Sequence, residues 1–254
     1  MSDWMYPAIP TALVVVLIVG WVPLMLLGKT PSYQRTDQIG SSALIGKQAK
    51  AMLYWGFQPL GRTLLALKIT PDVITWSSGV FGLAGGVALA RGQLGLGSML
   101  CFASFVADAL DGMVARLAGT GSAAGEVLDA MLDRYVEFFW FAGVIYWFRN
   151  DPMRLGLTIA ALIGAFMVSY VSAKAEAMQA EVPGGSMRRV ERAVCMTLGA
   201  SIASYTMLFS SFWNGLGIPA DWPLLVALGL IAVLGNYSTA TRSAALRRVL
   251  AGKK

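Results

Sequence analysis

Six of the chain's fourteen acidic residues fall within one short window: Asp108, Asp111, Glu126, Asp129, Asp133 and Glu137. Asp108, Asp111, Gly112 and Ala115 stand at i, i+3, i+4 and i+7, which places them on one face of a helix. Gly125, Asp129 and Asp133 follow at i, i+4 and i+8 on the next helix, and the glycine-rich stretch Gly119–Gly125 reads as the turn between the two. In such a hairpin the two carboxylate faces meet. Four carboxylates brought together repel, and a divalent cation, or a pair of them, relieves that repulsion. All-oxygen donors select a hard ion, Mg²⁺ or Mn²⁺. Gly112, Ala115 and Gly125 leave room beside the ligands. A two-metal clamp serves in-line phosphoryl displacement, whereas a carboxylate-lined cation pathway is the competing reading. The chain has no histidine, so any general base must be a carboxylate. The turn lacks Gly-Lys-Ser/Thr and follows a helix, so it is no P-loop.

The elements that hold these residues lie in a membrane. The 254 residues are 56% hydrophobic and 13% charged, against roughly 25% charged in soluble domains, and this excludes both a soluble globule and a disordered chain. A crossing needs about 20 apolar residues, and seven candidates follow: Ile9–Leu27, Pro71–Ala90, Leu96–Leu117, Val127–Phe148, Leu155–Met178, Val190–Phe212 and Trp222–Tyr237. The first reads as a retained helix, because no basic residue precedes it and no cleavage site follows. With the N-terminus outside, 17 of the 20 Lys and Arg residues face inward; only Arg91, Arg149 and Arg154 face outward. The net charge of +6 is thereby explained by topology and anionic lipid, not by nucleic acid.

Ser42–Ile69 mixes apolar residues with Lys47, Lys50, Arg62 and Lys68, the pattern of an amphipathic helix lying in the inner interface. Gly56, Pro59 and Gly61 predict a break into two pieces. Gly79, Gly82, Gly85 and Gly86 have the small-residue spacing that lets membrane helices approach. Trp140, Tyr146, Trp147 and Trp213 read as outer interfacial anchors. Cys101 and Cys195 form neither a disulfide framework nor a zinc site. The expected architecture is all-α: residues 1–41 an additional N-terminal transmembrane helix and linker, 42–69 the interfacial helix, and 70–254 a six-helix catalytic domain.

Asp108-Ala-Leu-Asp111-Gly112-Met-Val-Ala115-Arg116, then Gly125, Asp129 and Asp133, resembles the signature of the CDP-alcohol phosphotransferases at every fixed position. The resemblance implies that Asp108, Asp111 and Asp129 are ligands of a two-metal centre. It implies that Asp133, at the fourth aspartate of the metal-site motif, is the general base toward the acceptor hydroxyl. Gly112, Ala115, Arg116 and Gly125 match positions lining the CDP moiety, and Asp72 and Thr75 match positions at the CDP-lipid head. Ser169, Lys174, Arg189 and Arg192 resemble the acceptor pocket of the prokaryotic phosphatidylinositol phosphate synthases, with Arg242 completing it. The implied partners are CDP-diacylglycerol, a phosphorylated polyol such as inositol phosphate, the bilayer and a second copy of the chain. The implied setting is the inner membrane, with the site facing the cytoplasm. Ser172 stands where that subgroup is usually basic, and Lys174 where it carries arginine. These departures leave glycerol phosphate open as the acceptor.

Overall fold

A computed structural model describes residues 3–27, 29–30, 47–182 and 185–252. Among them every regular element is helical. We number these α1 (Ala8–Leu26), α2 (Lys47–Ala66), α3 (Pro71–Ala90), α4 (Leu94–Ala118), α5 (Ala123–Trp147), α6 (Pro152–Ala177), α7 (Arg189–Thr206), the short α8 (Ser210–Gly215) and α9 (Trp222–Ala251). Six stretches are apolar and long enough to cross a bilayer. They are α1 with the short turn before it, α3, α4, α6, α7 with its continuation through α8, and α9. Two long helices are not among them: α2, with 20 residues, and α5, which has 25 residues, about 37 Å, and whose first half carries charges of the candidate site. The result is a polytopic helical membrane bundle.

Helix α3 is the keystone. It packs extensively on both α4 and α5, while α4 and α5 touch each other little. The glycines of α3 make this possible: a Cβ on Gly86 would meet the backbone of Phe139, and one on Gly143 would meet the backbone of Gly86. The two aspartate-bearing helices are thus held by a shared neighbour more than by each other. On the other side α6 packs along α9, and α7 bridges α9 to α4. A continuous core joins these helices, including Leu89, Val136, Trp140, Phe141, Met196 and Leu228.

Two expectations are corrected. Trp140 is no interfacial anchor; it lies four residues after buried Val136, on the inward face of α5, and is itself in the core. Nor is the amphipathic segment broken: α2 is one helix through Gly56, Pro59 and Gly61. Its glycines are points of close approach, where Gly56 receives the Leu17 side chain of α1 and Gly61 that of Met113 on α4. Ser42–Gly46 of that segment lie outside the described residues. The last helix also continues 14 residues past the apolar stretch ending at Tyr237, to Ala251.

The N-terminal segment is tied to the bundle at the end opposite the aspartates. The Asp3 carboxylate accepts hydrogen bonds from Gly95 N (2.8 Å) and Leu96 N (3.0 Å). These are among the unpaired donors at the start of α4, where a negative charge is also favoured by the helix dipole.

Candidate active site

The hairpin turn is built as its residues require. Gly119 takes the left-handed conformation (φ +66°) that ends α4, and Ser122 caps α5 by accepting from Gly125 N at 3.1 Å. The last three turns of α4 and the first turns of α5 then bring Asp108, Asp111 and Asp129 together. Each contributes a carboxylate oxygen lying within 4.8 Å of the others. Asp111 is the most buried. One of its oxygens accepts from Thr75 Oγ1 of α3 at 2.7 Å, and the other from the backbone N–H of Gly112. Asp129 Oδ1 is buried with no hydrogen-bond partner among the described residues. An orphaned buried anionic oxygen beside two further carboxylates is a donor set that fits a hard divalent cation.

Asp133, one turn further along α5, is joined to this group through a cation. Arg189, the first residue of α7, places Nη1 2.7 Å from Asp108 Oδ1 and Nη2 2.5 Å from Asp133 Oδ1. Arg192, one turn further into α7, is only 1% exposed and faces elsewhere. It donates from Nε to Glu137 Oε1 (2.5 Å) and from Nη2 to Glu137 Oε2 (2.9 Å). It also donates to the Met187 carbonyl (2.6 Å) and to Ser169 Oγ (3.1 Å). Arg192 and Ser169 therefore belong to one buried, hydrogen-bonded cluster. Glu137 was not singled out from the sequence as a site residue. Its position four residues after Asp133, on the same helix face, was the signal that could have found it.

The other expected residues lie around this centre. Gly112 and Ala115 are half-buried on α4. Arg116 is exposed, its guanidinium 6.0 Å from the centroid of the Tyr54 ring on α2. Gly125 faces open space apart from its cap Ser122. Asp72 is exposed in the first turn of α3, and Lys174 is exposed near the end of α6. Arg242 reaches from α9 to α6, where Nη1 donates to Ser172 Oγ at 2.7 Å. Its Nε is buried without a partner among the described residues. Every one of these residues sits at the same end of the bundle, because the crossings alternate in direction and the motifs fall alternately at helix starts and helix ends.

Residues 68–234 match the family model described as CDP-alcohol phosphatidyltransferase. The chain belongs to that family. This CDP-alcohol phosphatidyltransferase is similar to the phosphatidylinositol phosphate synthase of Mycobacteroides abscessus, with 34% identity over 74% of this chain and 82% of the relative. It is 30% identical to that of Mycolicibacterium smegmatis, over 75% and 83% respectively. Among solved structures it resembles the Mycobacterium tuberculosis phosphatidylinositol phosphate synthase in complex with manganese and citrate. The TM-score is 0.64 and the identity 28%, covering 74% of this chain and 88% of that one. The same enzyme with CDP-DAG bound gives a TM-score of 0.61 at 29% identity, covering 74% and 92%. Family membership decides between the two chemistries that spacing left open. The chain is a metal-dependent transferase of phospholipid synthesis embedded in a membrane, and its aspartate cluster suits Mg²⁺ or Mn²⁺.

Proposed function

We propose that this enzyme transfers the phosphatidyl group of CDP-diacylglycerol to inositol phosphate and releases CMP, at the cytoplasmic end of the helices. The observation that carries the reading is the convergence, at one end of the bundle, of three aspartates suited to a metal with a cationic group opposite them. The names of the relatives supply the substrate class. Asp108, Asp111 and Asp129 would hold the divalent ions, two by the family resemblance. When bound, these supply charge neutralisation to a diphosphate. Thr75 fixes the Asp111 carboxylate by its 2.7 Å hydrogen bond.

Gly112, Ala115 and Gly125 leave the backbone of α4 and α5 open to the CDP moiety, with Arg116 and Asp72 at its margin. Asp133 takes the proton of the acceptor hydroxyl as that oxygen bonds to the lipid-linked phosphorus and the bond to CMP breaks. Arg189, Arg242 and Lys174 supply positive charge for a phosphorylated acceptor, and charge-assisted hydrogen bonds to phosphate are the strong kind. Arg192 contributes by fixing Ser169 and the entry of α7.

Purified protein with CDP-diacylglycerol, Mg²⁺ and a panel of alcohols tests this, with CMP release as the readout. Inositol phosphate is expected to support release. Glycerol phosphate is the competing acceptor because Ser172 offers Arg242 a hydroxyl and adds no charge of its own. Release with glycerol phosphate alone would transfer the assignment to that substrate, and no release with any acceptor would overturn it. The homodimer implied by the family resemblance is tested by light scattering on the same preparation.

A further inference from the structure

Arg189 occupies an unusual place. Its two terminal nitrogens bind carboxylates from different helices, Asp108 on α4 and Asp133 on α5, and the side chain as a whole remains 22% exposed. One of these carboxylates belongs to the three-aspartate cluster, and the other is the residue assigned as base. Asp108 thus has two claims on it. An ion shared with Asp111 and Asp129 needs its negative charge, and so does the guanidinium. Arg192, one turn away, cannot play this part, since Glu137, Ser169 and the Met187 carbonyl already take its donors.

Resting on the reading of Asp108, Asp111 and Asp129 as the metal-holding set, we propose that Arg189 is a resident counter-cation that competes with the divalent ion for Asp108. Metal loading loosens the Arg189–Asp108 contact and frees that half of the guanidinium for the acceptor's phosphate. The exchange keeps the carboxylates neutralised before the metal arrives. It also makes metal binding and acceptor binding favour each other, since coupling between two sites is reciprocal.

The test is Mn²⁺ binding alone, followed by electron paramagnetic resonance on the full-length protein in detergent without CDP-lipid or acceptor, so that no turnover contributes. Arg189→Gln is expected to bind Mn²⁺ roughly fivefold more tightly than the wild type, or better. Arg189→Lys is expected to fall between them, because one ammonium cannot bridge both carboxylates as a planar fork does. Arg247→Gln removes the same charge from an exposed position near the end of α9 and is expected to leave Mn²⁺ affinity unchanged. Equal or weaker binding by Arg189→Gln, or equal tightening by Arg247→Gln, overturns the exchange while leaving the metal site standing. A wild type that binds no Mn²⁺ overturns the metal reading and the exchange together. Should the Gln variant fail to fold, Arg189→Lys against wild type carries the same comparison.

Discussion

Arg189 and Arg192 enter the structure one helical turn apart, yet their surroundings assign them opposite consequences on mutation. Arg192 and Glu137 form a two-pronged ion pair away from solvent. Removing one partner of such a pair leaves the other charge buried alone, which costs about 3–5 kcal/mol. Glu137→Gln and Arg192→Gln are therefore expected to lower thermal stability sharply, and the apolar double variant Glu137→Leu/Arg192→Met to recover most of the loss. Melting curves in detergent read this directly, and single variants as stable as the wild type would remove the structural role. Asp133 is the contrasting case. Asp133→Asn keeps the shape of the side chain and one oxygen for Arg189, so the fold is expected to survive while turnover falls by roughly 10²-fold or more. Near-normal CMP release in that variant would withdraw the general-base assignment. The aspartates were legible in sequence because helical spacing aligns each pair on its own helix and the short glycine-rich turn between the helices brings the two faces together. Glu137's partner was not, because it is 55 residues away on another helix and depends on how α5 and α7 are packed.

Glycines on α3 and α5 show how the elements divide structure from binding. A side chain at Gly86 would strike the backbone of Phe139, which no rotamer change can relieve. Gly86→Val is expected to force α3 from α5 and cost folding, seen as loss of a monodisperse protein in detergent. A Cβ on Gly125 would meet only the Ser122 hydroxyl, at 3.3 Å, and a shift of a few tenths of an ångström in that exposed side chain accommodates it, so Gly125→Ala is expected to keep or slightly raise stability, Ala favouring helix over Gly by up to about 1 kcal/mol. The same change is expected to raise the KM for CDP-diacylglycerol, since the added methyl projects where the resemblance places the CDP moiety. An unchanged KM would remove Gly125 from that surface. Six of the seven expected crossings were legible because bilayer thickness sets their length, whereas Val127–Phe148 matches α5, a helix that is not among the six apolar stretches. The course of α2 was not, because whether a glycine breaks a helix or admits a neighbour depends on the neighbour, here Leu17 and Met113. The extension of α9 beyond Tyr237 was not either, because Arg242, Arg247 and Arg248 interrupt its apolar run and its Leu246 is buried only through packing with Ala175 and Ala180.

At the scale of the whole molecule, orientation follows from a single alternation. The starts of α3, α5 and α7 and the ends of α4, α6 and α9 share one end, and that end carries the aspartates together with Arg116, Arg189, Arg242, Arg247 and Arg248. The opposite end carries Arg91, Arg149 and Arg154, and Arg154 is occupied by Asp221 (2.7 Å) and Asp151 (3.0 Å) in a clamp between the starts of α6 and α9. Basic residues are retained on the cytoplasmic side, so the site is expected to open there and to draw CDP-lipid from that leaflet. The two native cysteines favour a direct test. Cys101 is buried and Cys195 half-buried, both within apolar helices, so labelling by a membrane-impermeant maleimide starts from a low background. Gly121→Cys, in the exposed turn between the aspartate helices, is expected to react in inverted vesicles and stay protected in intact cells. Asn150→Cys, in the turn between α5 and α6, is expected to show the reverse. Swapped reactivity would place the aspartates on the far side of the membrane, away from any cytoplasmic supply of nucleotide-activated lipid, and the orientation would have to be reversed with the charge rule broken.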